Sequence, residues 1–133
     1  MKELTLEANI DNLYKALDFI SVELEENGCK PKLLTQISIA VEEIFVNISN
    51  YAYRPEIGGV SIRIKVNDVV IIEFEDKGTP YNPLIKSDPD IHLPVEERDV
   101  GGLGIFMVKK IMDTVEYQHI DNKNILTIKK ILV

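Results

Sequence analysis

The order of strand-like and helix-like segments along the 133 residues predicts an α/β fold. We expect a two-layer sandwich, with helices on one face of a mixed or mainly antiparallel sheet. Segments that alternate apolar and polar residues lie near the start, in the middle and at the end of the chain, as is typical of strands with one buried face. Three other segments carry apolar residues at helical spacing. Since we find no repeat and no change in composition, a single domain over residues 1–133 is predicted.

The first part of the chain is predicted to form a strand and two helices. Residues 2–8 alternate and predict the strand. A helix is predicted over about 11–27, with Asp11 as its N-cap and Gly28 as its stop. A second helix is expected over about 31–52, where apolar residues recur at helical spacing and Pro31 suits the first helical turn.

The middle of the chain is predicted to form a hairpin over about 60–75, and its register matters for function. A two-residue loop after Val66 would bring Glu73 onto the apolar face. A three-residue loop instead pairs Val66 with Val70 and puts three apolar residues on that face. We predict the second register because it buries more apolar side chains, and it directs the Asp76 carboxylate toward the core side.

The last part of the chain is predicted to form a long loop, a helix and a closing hairpin. Residues 79–99 show no period and hold four of the six prolines, which favours a functional lid. A helix is expected over about 103–112. Two strands are expected over about 114–120 and 126–132, with a turn at 121–124.

Charge and composition exclude some kinds of partner. A formal net charge of −7 argues against binding to nucleic acid, because the phosphate backbone would be repelled. No apolar run reaches the about 18 residues that a membrane helix needs, and the N-terminus does not resemble a signal peptide. Cys29 is the only cysteine, which fits a reducing, cytoplasmic setting.

The segment Gly101-Gly102-Leu103-Gly104 stands at the start of the last predicted helix. Glycines let the backbone approach an anion closely, and a helix start presents free N–H groups and a partial positive charge. The segment predicts a phosphate site, or alternatively a hinge between the loop and the helix. It matches neither the Walker pattern nor the dinucleotide fingerprint.

Two further groups of residues suggest chemistry. Asp76, followed by Gly78, is either an ordinary turn or a carboxylate on the core side that needs a hydrogen-bond donor, such as the exocyclic amine of adenine. Glu43, Asn47 and Asn50 share one helical face. They form either a solvated edge or a site in which Asn47 ligates Mg²⁺ and Glu43 acts as a general base.

Taken in order, these segments resemble the nucleotide-binding motifs of the GHKL ATPase superfamily. Three motifs carry the resemblance: the N box, Glu43-x-x-x-Asn47; the first glycine box, Asp76-x-Gly78-x-Pro80; and the second glycine box, Gly102-Leu103-Gly104. Within the superfamily, residues 101–117 are most similar to the small anti-sigma-factor serine kinases.

The resemblance implies a Bergerat-type histidine-kinase-like fold with ATP and Mg²⁺ as cofactors. It implies Glu43 as the catalytic base, Asn47 as the Mg²⁺ ligand and residues 79–99 as the ATP lid. Arg98 either approaches the phosphates or is simply solvated among acidic neighbours. The nucleotide-binding residues expected in this way are Asn47, Asn50, Asp76, Gly78, Pro80, Arg98, Gly101, Gly102, Leu103 and Gly104.

The function implied is that of a serine/threonine protein kinase acting as an anti-sigma regulatory factor. It would phosphorylate a STAS-type anti-anti-sigma protein and sequester a sigma factor, and homodimerisation is expected. The alternative is a nucleotide-binding partner-switch module without phosphoryl transfer, although such a module would not need Glu43 as a base. The catalytic fragment of a sensor histidine kinase is disfavoured, because the chain begins with a strand and shows no dimerisation helix with a phospho-accepting histidine.

Overall fold

The computed structural model describes residues 1–53, 58–85 and 102–132. The described residues form a five-stranded sheet in the order β1-β2-β3-β5-β4, in which every neighbouring pair is antiparallel. The strands are β1 Lys2–Glu7, β2 Gly59–Val66, β3 Val69–Asp76, β4 Thr114–Ile120 and β5 Lys123–Ile131. The helices are α1 Leu13–Glu26, α2 Pro31–Tyr51 and α3 Gly102–Ile111, with short 3₁₀ turns at Ile10–Asn12 and Pro83–Ile85. The predicted two-layer α/β fold is confirmed, and the sheet is antiparallel.

One apolar core lies between the sheet and the helices. Alternate residues of the central strands, such as Ile62, Ile72 and Ile128, are fully buried in the same cluster as Ile20 and Phe45 of the helices. The other face of the sheet carries charges, because strand side chains alternate between the two faces. The ion pairs of that face include those of Arg63 with Glu3, Glu73 and Glu75. Among the described residues, no helix is long and apolar enough to cross a membrane.

The first helical segment begins differently from the prediction. Residues Ile10–Asn12 form a 3₁₀ turn, and Asn9 caps it by accepting a hydrogen bond from the Asp11 N–H at 3.0 Å. The prediction of Asp11 as N-cap is therefore wrong, since its neighbour two residues earlier makes the local side-chain bond that favours such a turn. Gly28 ends the segment as predicted, with a φ of 75° that glycine adopts without strain.

The register of the central hairpin is confirmed. Val66 pairs with Val70, and Asp76 pairs with Val60, so that Asp76 lies on the core side of the sheet and is only 6% exposed. Because β3 lies between β2 and β5, this carboxylate also has a strand neighbour on its other side.

The closing hairpin has a shorter turn than predicted. Asp121 and Asn122 both have positive φ, 51° and 61°, as in a two-residue type I′ turn. Strand β5 therefore begins at Lys123, three residues before the predicted start. The consequence is that Asn124 belongs to the strand, where it pairs with Asp76 on one side and with His119 on the other.

Candidate functional site

A cavity lies where the C-terminal half of α2 meets the end of the sheet that carries Asp76. Apolar side chains of α2 and β5 form much of its wall, and Asn47, Asp76 and Asn124 contribute the polar groups. A mainly apolar cavity with a few converging polar groups is typical of small-molecule sites. The residues lining it are Ile44, Asn47, Ile48, Tyr51, Ala52, Asp76, Thr79, Tyr81, Pro83, Tyr117, Asn124 and Leu126.

The two carboxylate oxygens of Asp76 have different surroundings. Oδ1 accepts hydrogen bonds from the Gly78 N–H and from Asn124 Nδ2, each at 2.9 Å. Within the described part of the chain, no hydrogen bond ends on Oδ2. Among the described residues, Ser49 Oγ is the one fully buried side-chain polar atom without a hydrogen-bond partner. Since Asp76 Oδ2 also has no partner there, it is not fully buried. Asp76 thus borders the cavity with a carboxylate whose Oδ2 has no hydrogen-bond donor among the described residues.

Asn124 is a residue of this site that the sequence analysis missed. Its Nδ2 donates to Asp76 Oδ1 at 2.9 Å and also lies within 3.2 Å of the Gly78 and 3.1 Å of the Thr79 carbonyl oxygens. Its Oδ1 accepts from the Tyr117 hydroxyl and lies 3.1 Å from His119 Nδ1. The turn at 121–122 is a signal that could have placed Asn124 on the core side, because a two-residue loop fixes the register of β4 and β5. Its position beside Asp76 depends in addition on the strand order.

Gly78 is the point where the strand end meets helix α2. A Cβ at position 78 would overlap the carbonyl oxygen of Ala52 and lie 2.6 Å from its carbonyl carbon. The Thr79 N–H donates to the same carbonyl at 2.8 Å. The glycine thus allows the backbone after Asp76 to lie against the end of α2, beside the cavity. Pro80 is exposed and instead borders an outer groove together with Lys77.

Tyr53, just beyond α2, fixes this backbone from the other side. Its hydroxyl donates to the Gly59 carbonyl at 2.6 Å and accepts from the Lys77 N–H at 2.7 Å. Burial raises the pKa of Tyr53; the charges of Asp76 and Glu75 also raise it, whereas the bond from Lys77 lowers it. The neutral hydroxyl therefore connects the start of β2 with the end of β3.

A second, more polar cavity adjoins the first. Four predicted site residues, Glu43, Asn47, Asn50 and Gly104, line it together with Val46, Tyr51 and Ile105. Asn47 and Tyr51 border both cavities, so the two are neighbours across Asn47. The fold therefore brings the N box and the start of α3 together. The order of these motifs in the sequence does not by itself require that they be close in space.

Glu43 and Gly104 are in direct contact at this second cavity. A Cβ at position 104 would overlap Glu43 Oε2. Gly104 is the third residue of α3, so the Glu43 carboxylate lies beside the first turn of that helix. Backbone N–H groups of a first turn have no helical acceptor and favour negative charge nearby, whether from a carboxylate or from a bound anion.

Some predicted residues lie outside the described residues or are described only in part. Arg98, Gly101 and residues 86–99 of the expected lid fall outside them. Gly102 and Leu103 are described as the first two helical residues of α3. Of the expected lid, residues 79–85 are described, and three of them, Thr79, Tyr81 and Pro83, line the Asp76 cavity.

The described residues hold no group of three or more His, Cys, Asp or Glu side chains that could bind a metal ion. Asn47 offers a neutral amide oxygen where the two cavities meet. Such a single hard donor suits Mg²⁺, which keeps several waters and shares its remaining ligands with phosphates.

Comparison with known proteins shows the family to which this chain belongs. The family model described as "Histidine kinase-like ATPase domain" matches residues 6–130. Serine-protein kinase RsbW of Bacillus mycoides (strain KBAB4) is 29% identical over 103 residues, and that of Bacillus cereus (strain B4264) is 30% identical over 103 residues. In both cases the match covers 74% of this chain and 64% of the relative, so the chain spans less than two thirds of these relatives.

Among solved structures, the Acinetobacter baumannii histidine kinase AdeS is similar, with a TM-score of 0.52 at 16% identity. The similarity covers 99% of this chain and 69% of that one, and it shows a shared fold. The resemblance inferred from the three motifs is confirmed by the family match and by the serine-protein kinase relatives.

Proposed function

Because this chain belongs to the histidine kinase-like ATPase domain family, we propose that it is an ATP-dependent serine/threonine protein kinase that acts as an anti-sigma regulatory factor. The observation that carries the proposal is the pair of neighbouring cavities. One offers the free acceptor of Asp76, and the other brings Glu43 beside the start of α3. The cavities meet at Asn47.

The nucleotide is proposed to lie across both cavities. Adenine occupies the Asp76 cavity, where its exocyclic amine donates to Asp76 Oδ2 and its ring contacts apolar side chains such as Ile48 and Leu126. The phosphates extend past Asn47 toward the first turn of α3, whose free N–H groups favour anions. Asn50, Gly78, Pro80, Arg98 and the segment 101–104 complete the proposed nucleotide-binding set. Mg²⁺, held by the Asn47 oxygen and the phosphates, supplies charge neutralisation when bound.

The proposed transfer uses Glu43 as the general base. Its carboxylate accepts the proton of a serine or threonine hydroxyl, whose oxygen forms a bond to the γ-phosphorus as the bond from that phosphorus to the β–γ bridging oxygen breaks. ADP leaves, and the partner carries the phosphoryl group. Such a reaction depends on positioning and charge stabilisation, which two adjoining cavities with fixed backbone can provide.

The proposed acceptor is a STAS-type anti-anti-sigma protein, and the proposed target of sequestration is a sigma factor. The net charge of −7 suits basic surfaces on a transcription protein. Phosphorylation adds about two negative charges to the acceptor, and repulsion by an acidic kinase would favour its release. We expect the kinase to work as a homodimer in the cytoplasm, where ATP is available.

The test is phosphoryl transfer from labelled MgATP to STAS-type proteins encoded in the same genome. We expect label on one serine or threonine of one such protein. Glu43→Gln, which keeps the shape of the side chain, should lose at least about 100-fold in transfer rate while binding ATP normally. Nucleotide binding without transfer to any candidate would instead support the partner-switch module. Absence of nucleotide binding would overturn both the proposed kinase and the alternative partner-switch module.

A further inference from the structure

The hydrogen bonds around Asp76 bear on which purine the proposed site accepts. We propose that Asn124, oriented by Tyr117, is a positioning residue that fixes the direction of the Asp76 carboxylate and thereby makes the site selective for 6-amino purines over 6-oxo purines. The inference rests on the proposed nucleotide site and goes beyond it, since it assigns selectivity to residues outside the three motifs.

The orientation of the Asn124 amide follows from its neighbours. The atom that faces Asp76 Oδ1 also lies near the carbonyl oxygens of Gly78 and Thr79. These three atoms can only accept hydrogen bonds, so the amide nitrogen, which only donates, must be the one that faces them. On the other side, the Tyr117 hydroxyl, which can donate as well as accept, donates to the amide oxygen in this orientation.

This fixed amide determines the two ends of the Asp76 carboxylate. Oδ1 is held by two donors, Asn124 Nδ2 and the Gly78 N–H, and both approach from the protein side. Among the described residues no donor reaches Oδ2, and Asp76 lines the cavity, so Oδ2 is the acceptor that we assign to a ligand. Because Asp76 and Asn124 are each only 6% exposed, a ligand that fails to donate there leaves a nearly buried anionic oxygen unpaired.

The chemistry of the purine edge then decides which base binds. A 6-amino group donates to Oδ2, whereas a 6-oxo group would place an oxygen against the carboxylate and be repelled. Sites built to hydrogen-bond a ligand group reject analogues without it strongly, because the buried polar atom of the site is left unpaired.

The same network predicts an unusual result for Asp76→Asn. The two donors at the protein side still require an acceptor, so the new amide should place its oxygen at the Oδ1 position. Its NH₂ group then takes the Oδ2 position and offers a donor to the cavity. The preferred base should change from adenine to hypoxanthine, because the new NH₂ group can donate to a 6-oxo group. A 6-amino group is itself a donor and would face the NH₂ group without a hydrogen bond.

The experiment compares the affinities of ATP and inosine triphosphate, with Mg²⁺, by calorimetry. We expect the unaltered protein to favour ATP by at least about 10-fold, and Asp76→Asn to favour inosine triphosphate by a similar factor. In Asp76→Asn combined with Asn124→Ala, the inversion should shrink, because only one of the two donors, the Gly78 N–H, then still requires an acceptor at the Oδ1 position.

Tyr117→Phe gives a measurement that does not depend on altering Asp76. It keeps the ring that lines the cavity but removes the hydroxyl that orients Asn124, so the ratio of the two affinities should fall by about 3- to 10-fold. An unchanged ratio in Tyr117→Phe, or folded Asp76→Asn that still prefers ATP or binds neither nucleotide, would overturn the inference. If the unaltered protein binds no nucleotide at all, the proposed function fails instead.

Discussion

Gly104, in the first turn of α3, lies directly against the carboxylate of Glu43 in α2, and a Cβ at that position would overlap Oε2. Helix α3 leads from this contact toward β4, whose first residue, Thr114, pairs with Lys129 at the opposite end of the sheet from Asp76. Helix α2 runs the other way and ends beside Gly78. The two helices are therefore antiparallel neighbours. Their packing brings Glu43, the proposed general base, to the first turn of α3, where the phosphates are proposed to bind.

Gly104→Ala should separate catalysis from stability. The atom in the way is the far end of a flexible side chain, so we expect Glu43 to move and the fold to stay intact. Alanine gains up to about 1 kcal/mol of helix propensity over glycine, so the free energy of unfolding should be unchanged or slightly higher. Phosphoryl transfer should nevertheless fall at least about 10-fold, because the displaced carboxylate no longer meets the acceptor hydroxyl. Single-turnover transfer and urea unfolding measure the two effects.

Gly28→Ala is the matched control for that substitution. Its φ of 75° is unfavourable for alanine, and apart from its chain neighbours no described residue has an atom within 4 Å of the added Cβ. It should lose about 1 kcal/mol of stability and transfer phosphate at the normal rate. Normal transfer by Gly104→Ala would contradict the proposed role of Glu43.

Gly78→Ala should damage both the fold and nucleotide binding. The added Cβ would overlap the backbone of Ala52, which cannot move aside as a side chain does. We expect a loss of about 1–3 kcal/mol in the free energy of unfolding, as for other overpacked sites. ATP affinity should fall as well, because the backbone that donates to Asp76 Oδ1 must shift.

Gly59→Ala provides the comparison, because its Cβ would lie 3.7 Å from the Leu6 carbonyl oxygen, an ordinary contact distance. Chemical unfolding and calorimetric ATP binding of the two variants should therefore differ clearly. Equal behaviour of the two would mean that the close approach at Gly78 is not important.

The central hairpin shows how far local sequence can predict this site. Alternation over β2 and β3 has one register that buries the most apolar surface, and that register alone determines the direction of Asp76. The pairing needs only neighbouring segments of the chain and the burial of apolar side chains. The strand pairing and the side-chain directions from Val66 to Asp76 were therefore predicted correctly.

Asn124 could not be found in the same way, because its importance depends on which strand lies beside β3. Its partner Asp76 is 48 positions earlier in the chain, and only the strand order β3-β5-β4 brings the two side by side. The type I′ turn at Asp121 and Asn122 also lacks the glycine that usually marks it, so the start of β5 was predicted too late. Likewise, the Asp11 cap was predicted from residue type, whereas local geometry selects Asn9.

Tyr53→Phe should lower stability, because one hydroxyl makes two bonds between distant segments. Its removal leaves the Lys77 N–H without its acceptor and the Gly59 carbonyl without its donor. We expect a loss of about 1–2 kcal/mol in the free energy of unfolding at pH 7, together with weaker ATP binding, since Lys77 is next to Asp76. Tyr14→Phe is the control: Tyr14 is 66% exposed, and its removed hydroxyl should cost almost nothing.

The difference between the unaltered protein and Tyr53→Phe should also depend on pH. Burial is the main cause that raises the pKa of Tyr53 above its usual value of 10.0, so the native state holds this proton more tightly than the unfolded state does. The stabilisation is therefore complete below pH 10 and is lost as the pH rises through the native pKa, where the hydroxyl can no longer donate to the Gly59 carbonyl. Phenylalanine does not titrate, so the gap in stability between the two proteins should narrow above pH 10. A gap that stays constant from pH 7 to pH 11 would show that the Tyr53 hydroxyl does not hold β2 and β3 together.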